Sequence, residues 1–249
     1  VDLHVPAALL GYVLSFVLIV VALPVEALLL VLTWPFDRNR TVPGRFLRLA
    51  GVAISATFLT WRLRLEGRLP GKGPYVVVAN HQSMLDILLI SRVRREMKWM
   101  AKESLFKIPW FGWMFVLSGD IPIRRGDADS ATGALQKARD YLARGMSVMI
   151  FPEGTRSRTG KLGTFKSGAF RLAIEAGVPV VPIAVTGTAA GYPKGSPWVR
   201  PCHGIARILP PVPVEGYTLD DAGKLREAVR ERIAGALPDG ARPAASASA

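Results

Sequence analysis

Nineteen consecutive residues, Val5 to Leu23, carry no charge. After Glu26 the apolar run resumes, ALLLVLTW, and ends at Trp34. A helix this apolar on every side must lie in lipid or be covered by protein. About 20 such residues suffice to cross the hydrocarbon core of a bilayer. A membrane helix is the first reading. A signal peptide fits less well, because no basic segment precedes the run and it continues past any cleavage point. A buried core helix is the third reading. Pro24 and Glu26 are expected to kink the helix or hold it partly in one leaflet.

A second apolar segment, residues 43–60, has Arg45 and Arg48 at its start and Arg62 and Arg64 just beyond it. Its uncharged part, Leu49 to Trp61, is thirteen residues long. That is short for a span and suits an interfacial or re-entrant helix; a core helix of the following domain is the alternative. Trp34 and Trp61 take the flanking places of interfacial aromatics, and the basic side from Arg38 to Arg48 predicts that the rest of the chain is cytoplasmic.

Beyond residue 60, short β-branched runs alternate with helical stretches. Strands are predicted at Trp61–Glu66, Tyr75–Ala79, Lys98–Ala101, Ile121–Arg124, Ser147–Phe151, Val180–Thr186 and Gly204–Leu209. Helices are predicted at Met84–Arg95, Ser104–Leu117, Ala131–Ala143, Ser167–Ala176 and Leu219–Ala236. The alternation indicates an α/β fold, a mostly parallel or mixed sheet covered by helices, with an N-terminal membrane-associated helical segment. The chain divides into 1–60, membrane helices forming one span or a two-helix re-entrant anchor; 61–237, the α/β domain; and 238–249, a disordered tail.

Lys and Arg number 32 against 19 Asp and Glu, a net charge of +13. That balance suits an acidic partner: anionic lipid, a phosphorylated substrate, an acidic carrier protein or nucleic acid. The apolar N-terminus and the lack of any nucleic-acid motif argue against the last. One cysteine, Cys202, excludes a disulfide framework, and three scattered histidines show no metal-ligand spacing.

Within VVVANHQSMLDILLI, Val76 to Ile90, a His and an acid stand at the joint between two apolar elements. Ser83-Met84-Leu85-Asp86 matches a capping box with Asp in the last place. Five residues across a strand-to-helix turn can bring His81 within hydrogen-bond reach of Asp86. Alone, Asp86 has a plain cap residue as its alternative reading and His81 a passive loop residue. Their company changes the reading. Phe151 to Gly168, FPEGTRSRTGKLGTFKSG, is a glycine-rich loop carrying Arg156, Arg158, Lys161 and Lys166, suited to holding phosphate. Arg124, Arg125 and Lys102 follow two other predicted strands. Parallel strands would bring all of these to one edge, where ligands of open α/β sheets bind; a solvated basic rim is the alternative for Arg158 and Lys161. There is no G-x-S-x-G, and the glycines near Lys72 fit neither a P-loop nor a dinucleotide fingerprint.

The sequence resembles the glycerolipid acyltransferases, specifically the 1-acyl-sn-glycerol-3-phosphate acyltransferases. Four motifs stand in that family's order: NHQSMLD (Asn80–Asp86), GDIPIRR (Gly119–Arg125), FPEGTRS (Phe151–Ser157) and VPVVPI (Val178–Ile183). They cover about residues 75–185. The resemblance implies transfer of an acyl group from acyl-CoA or acyl carrier protein to a lysophospholipid at an anionic, cytoplasm-facing membrane such as the cell inner membrane, in phospholipid synthesis. It implies His81 and Asp86 as catalytic residues and Glu153, Gly154, Thr155 and Arg156 as the acceptor-binding block, with Arg125 and Lys102 as further phosphate ligands. No metal or other cofactor is implied, and no nucleic acid. Transfer should be direct, without an acyl-enzyme, because the thioester is already activated. Another lysolipid such as lyso-ornithine lipid is the alternative acceptor, and a non-catalytic lipid-binding scaffold the alternative class.

Overall fold

The computed structural model describes residues 4–242 apart from 72, 158, 194 and 197. Arg158 and the tail from 243 lie outside the described residues. Two antiparallel helices come first, α1 (His4–Thr33) and α2 (Thr41–Thr57). The α1 helix continues through Pro24. Its span from Pro6 to Thr33 is 28 residues, about 42 Å at the usual rise per residue. Phe16, Val31 and Leu32 are among its many exposed apolar side chains. The turn between the helices places Asp37 under the first turn of α2, where its carboxylate accepts from the Thr41 and Val42 N–H groups at 2.8 Å.

Arg48, expected near an interface, is buried instead. Its Nη2 lies 2.6 and 2.5 Å from the two Asp120 carboxylate oxygens, and Glu96 is 3.8 Å from its Nε. Lys98, fully buried, donates to the Arg40 and Ser118 carbonyls at 2.9 and 2.7 Å and to Glu96 at 3.3 Å. Glu26 of α1 is buried beside the same charges. A polar cluster therefore joins the two N-terminal helices to the sheet. A charged helix residue is covered this way because its partners are buried with it.

The sheet has seven strands in the order β1-β7-β6-β2-β5-β3-β4: β1 (Trp61–Glu66), β2 (Val76–Ala79), β3 (Met97–Lys102), β4 (Ile121–Ile123), β5 (Ser147–Ile150), β6 (Val180–Thr186) and β7 (Cys202–Ile208). The five strands from β6 to β4 are parallel; β7 runs antiparallel to β6, and β1 is parallel to β7. All four residues of β2 and of β5 are buried, as β-branched strands covered on both faces should be. One face packs on α6 (Ala128–Ala143), α7 (Gly168–Ala176) and α9 (Ala222–Ala236) through residues such as Phe170, Leu225 and Ile233. The other packs on α3 (Leu85–Ile90) through Leu89, Ile90 and Trp99. A short helix, α8 (Thr188–Gly191), follows β6.

Beyond shifts of a few residues at element ends, three predictions differ most. The helix expected over Met84–Arg95 ends at Ile90. The helix expected over Ser104–Leu117 is split into α4 (Glu103–Phe106) and α5 (Phe111–Ser118), because Pro109 offers no N–H and disfavours helix at Ile108. The tail expected to be disordered from 238 begins with a 3-10 turn, Asp239–Ala241, and the Ala241 carbonyl accepts from the Leu162 N–H at 2.9 Å.

Candidate active site

Because the central strands are parallel, the carboxyl ends of β2, β5, β3 and β4 share one edge, and the segments that follow them meet there. The β2 strand hands over to Asn80, whose side-chain amide exchanges two hydrogen bonds with the Val185 backbone at 2.9 and 2.7 Å. That pairing fixes the backbone from which His81 projects. The His81 N–H donates to Glu153 at 2.8 Å, and its carbonyl accepts from Ser157 N–H at 2.8 Å. The ring stacks on Phe151, with centroids 4.0 Å apart.

His81 Nδ1 lies 2.8 Å from an Asp86 carboxylate oxygen. The same oxygen accepts from the Gln82 and Ser83 N–H groups at 2.7 and 2.9 Å, and the other oxygen accepts from the Thr188 hydroxyl at 2.5 Å. Asp86 is fully buried. Those donors occupy both of its oxygens as acceptors. Nδ1–H therefore donates to the first of them, which leaves the Nε2 lone pair open to the hydroxyl of a substrate. The predicted capping box is half formed. Asp86 reaches back to Ser83 as the box requires, while the Ser83 hydroxyl accepts from Leu85 N–H at 3.3 Å and donates to the Tyr192 carbonyl.

A cavity of about 640 Å³ opens beside the imidazole. Met84, Ile87, Trp99 and Leu105 contribute apolar wall, and Lys102, Arg125, Arg156 and Lys166 contribute cations. Arg124 also lines it, but Glu103 and Asp127 hold its guanidinium at 3.0 and 3.1 Å. Burial, together with the like charge of Arg156, pushes the Arg125 guanidinium below its ordinary range. Two guanidinium groups drawn together in this way favour an anion between them. Gly154 turns the loop with φ +71°, and a Cβ there would stand 3.1 Å from the Lys166 side chain.

Of the acceptor-block residues, Gly154 and Arg156 line the cavity, as do Lys102 and Arg125. Glu153 does not. Its carboxylate turns inward to the N–H groups of His81 and Gly163, at 2.8 and 3.2 Å, and ties the loop to the His81 backbone. Thr155 is exposed and outside the lining, and so is Lys161. Sequence reasoning missed Thr188, which lies 102 residues from its partner Asp86, and Asn80, whose side chain imitates a strand. Thr188 has no local sequence signal; Asn80 opens the NHQSMLD motif, but its role shows only in its pairing with Val185. Cys202 is buried.

Glu153 also makes a pH-dependent prediction. Burial pushes its carboxyl up to about 7, against the two N–H groups that favour the charge, and nearby Asp86 adds to the rise. The folded value exceeds the ordinary 4.5. The stability it contributes is therefore fully present below pH 4.5 and lost as pH rises to about 7. Thermal unfolding across that range should show wild type losing stability relative to Glu153→Gln. Parallel profiles would contradict the assignment.

Residues 62–186 match the model of the acyltransferase family. A chloroplastic 1-acyl-sn-glycerol-3-phosphate acyltransferase of Brassica napus is 37% identical over 74% of this chain and 54% of its own length. A 1-acyl-sn-glycerol-3-phosphate acyltransferase of Chlamydomonas reinhardtii is 37% identical over 93% of this chain and 69% of its own. The chain spans about half the length of the first relatives it matches, at 54% and 52%. The crystal structure of the 1-acyl-sn-glycerophosphate (LPA) acyltransferase PlsC from Thermotoga maritima superposes with a TM-score of 0.74 at 27% identity, covering 94% of this chain and 96% of that one. With the motifs in order, the fold shared and His81 set against Asp86 at the strand edge, this chain belongs to the acyltransferase family, among its 1-acyl-sn-glycerol-3-phosphate acyltransferase-like members.

Proposed function

We propose that this chain moves a fatty acyl group from acyl-CoA or acyl carrier protein to the sn-2 hydroxyl of lysophosphatidic acid, forming phosphatidic acid. The observation that carries the reading is the His81–Asp86 pair opening onto a cavity that Lys102, Arg125, Arg156 and Lys166 also line. His81 Nε2 takes the hydroxyl proton as the oxygen attacks the thioester carbonyl. The tetrahedral intermediate then collapses, the carbon–sulfur bond breaks, and the imidazolium returns the proton to the departing thiolate. Asp86 holds the tautomer and stabilises the imidazolium. Lys102, Arg125, Arg156 and Lys166 hold the acceptor phosphate, while Glu153, Gly154 and Thr155 shape the loop that presents Arg156.

The acyl chain follows the apolar wall. Ile87 lines both this cavity and a small apolar gap bounded by Ile19 of α1, Leu47 of α2 and Phe115 of α5. The exposed apolar side of α1 supports a seat at a membrane, from which the enzyme would take its acceptor, and the basic α1–α2 turn supports a cytoplasmic orientation.

Detergent-purified protein, supplied with lysophosphatidic acid or lyso-ornithine lipid and with each donor, tests the reading directly. Phosphatidic acid is the expected product. Transfer only to the ornithine lipid would keep the mechanism and replace the acceptor; transfer to neither would favour a scaffold. Arg156→Ala should raise the acceptor KM about tenfold or more and leave the donor KM nearly unchanged, since a charge-assisted hydrogen bond to phosphate is lost. Equal rises in both would remove Arg156 from that role.

A further inference from the structure

A second cavity, about 410 Å³, lies at the opposite edge of the sheet, against Gly119–Pro122 at the start of β4. It shares no lining residue with the cavity at His81. Four cations face it from two separate parts of the chain: Arg38 and Arg40 from the α1–α2 turn, Lys137 from α6 and Arg144 just after it. Two carboxylates also line it, but Asp120 is already neutralised by Arg48 at 2.5 Å, which leaves Asp140. Asp140 accepts from the Gln136 amide at 3.0 Å. Among the described residues, Arg38 and Lys137 have no ion-pair or hydrogen-bond partner. Arg40 donates to the Val116 carbonyl at 2.7 Å, and Arg144 stands over the Tyr141 ring at 4.7 Å.

A concave cluster with four cations against Asp140 calls for an anion, and its place in the fold says which kind. The Arg38–Arg40 turn directly follows the apolar α1, and the exposed rings of Trp34 and Phe36 lie at that end, 64% and 75% exposed. Aromatic side chains at the polar end of an apolar helix mark headgroup depth. Phe106, Val116 and Pro122 give the cavity an apolar wall beside its cations. We propose that this cavity is a second lipid site, binding the phosphate headgroup of an anionic phospholipid at the foot of α1, apart from the site of acyl transfer. It rests on α1 lying at a membrane and is independent of the proposed reaction.

The test is binding, read by native mass spectrometry in a neutral detergent, in an Arg156→Ala background so that lipid held in the His81 cavity contributes less. The probes are dioleoyl phosphatidic acid, dioleoyl phosphatidylcholine and inorganic phosphate. One phosphatidic acid per chain should be retained, with phosphatidylcholine retained far less. Arg38→Ala/Lys137→Ala/Arg144→Ala should weaken retention about tenfold or more. A control, Arg62→Ala/Arg171→Ala/Arg232→Ala, removes the same charge from exposed positions elsewhere and should leave retention unchanged. All six residues are exposed, so both variants should fold; equal thermal unfolding checks this. Equal retention by the first variant, or equal loss in both, would overturn the proposal. Displacement of the lipid by millimolar inorganic phosphate would assign the cluster to soluble phosphate instead.

Discussion

His81→Ala is expected to lower turnover by about 10²–10⁴-fold, the usual contribution of a positioned general base, with little change in either KM. The geometry gives this substitution its force. Asp86 is fully buried and receives hydrogen bonds from two backbone N–H groups, from Thr188 and from His81 Nδ1. Those partners hold the carboxylate in one place, so the imidazole has one orientation, with Nε2 toward the cavity. Removing the ring leaves the cations and the apolar wall, and hence substrate binding, in place. The test is kcat and KM for each substrate, beside thermal unfolding to show that the fold survives the lost stacking on Phe151. Turnover within a few-fold of wild type would remove His81 from the chemistry. The same mechanism predicts no thiol release from the donor without acceptor, because no enzyme group takes the acyl chain. A burst of thiol in its absence would require a covalent intermediate.

Arg48→Met is expected to cost about 3–5 kcal/mol of stability, the usual effect of removing one partner from a buried ion pair. The guanidinium meets both oxygens of Asp120 and stands 5.1 Å from the centre of the Trp99 ring. Without it, Asp120 and Glu96 remain buried with Lys98 as their nearby cation. The Trp99 N–H still donates to Asp120 at 2.9 Å, so β3 and the start of β4 would keep a charge with too few partners. Thermal unfolding in detergent reads the loss. Arg48→Met/Asp120→Leu should be less destabilised than Arg48→Met, since the uncompensated carboxylate is gone. A single variant within about 1 kcal/mol of wild type would show that the cluster does not secure the N-terminal helices to the sheet.

Strand and helix alternation, read from apolar periodicity alone, anticipated the α/β class, and β1 and β6 fall on their predicted residues. These signals are local: a β-branched run needs no distant partner to declare itself. Short spacing likewise made the approach of His81 and Asp86 legible, because one strand-to-helix turn spans it. The errors are non-local. Arg48 read as an interfacial flank because its counter-charges are 48 and 72 residues away, at Glu96 and Asp120. Glu153 reads as a ligand from its motif, yet within that block only the fold decides which side chain turns inward.

By itself, then, the sequence determined the apolar N-terminus, the parallel-rich domain and the residue types that carry the chemistry. Tertiary structure decided which cations share the cavity with His81, that Thr188 completes the setting of Asp86, and that α2 is locked to the sheet through Arg48. The physical reason is that a charge buried among distant partners is stabilised by contacts that only chain closure creates. A periodic pattern or a five-residue turn is already complete in the local chain.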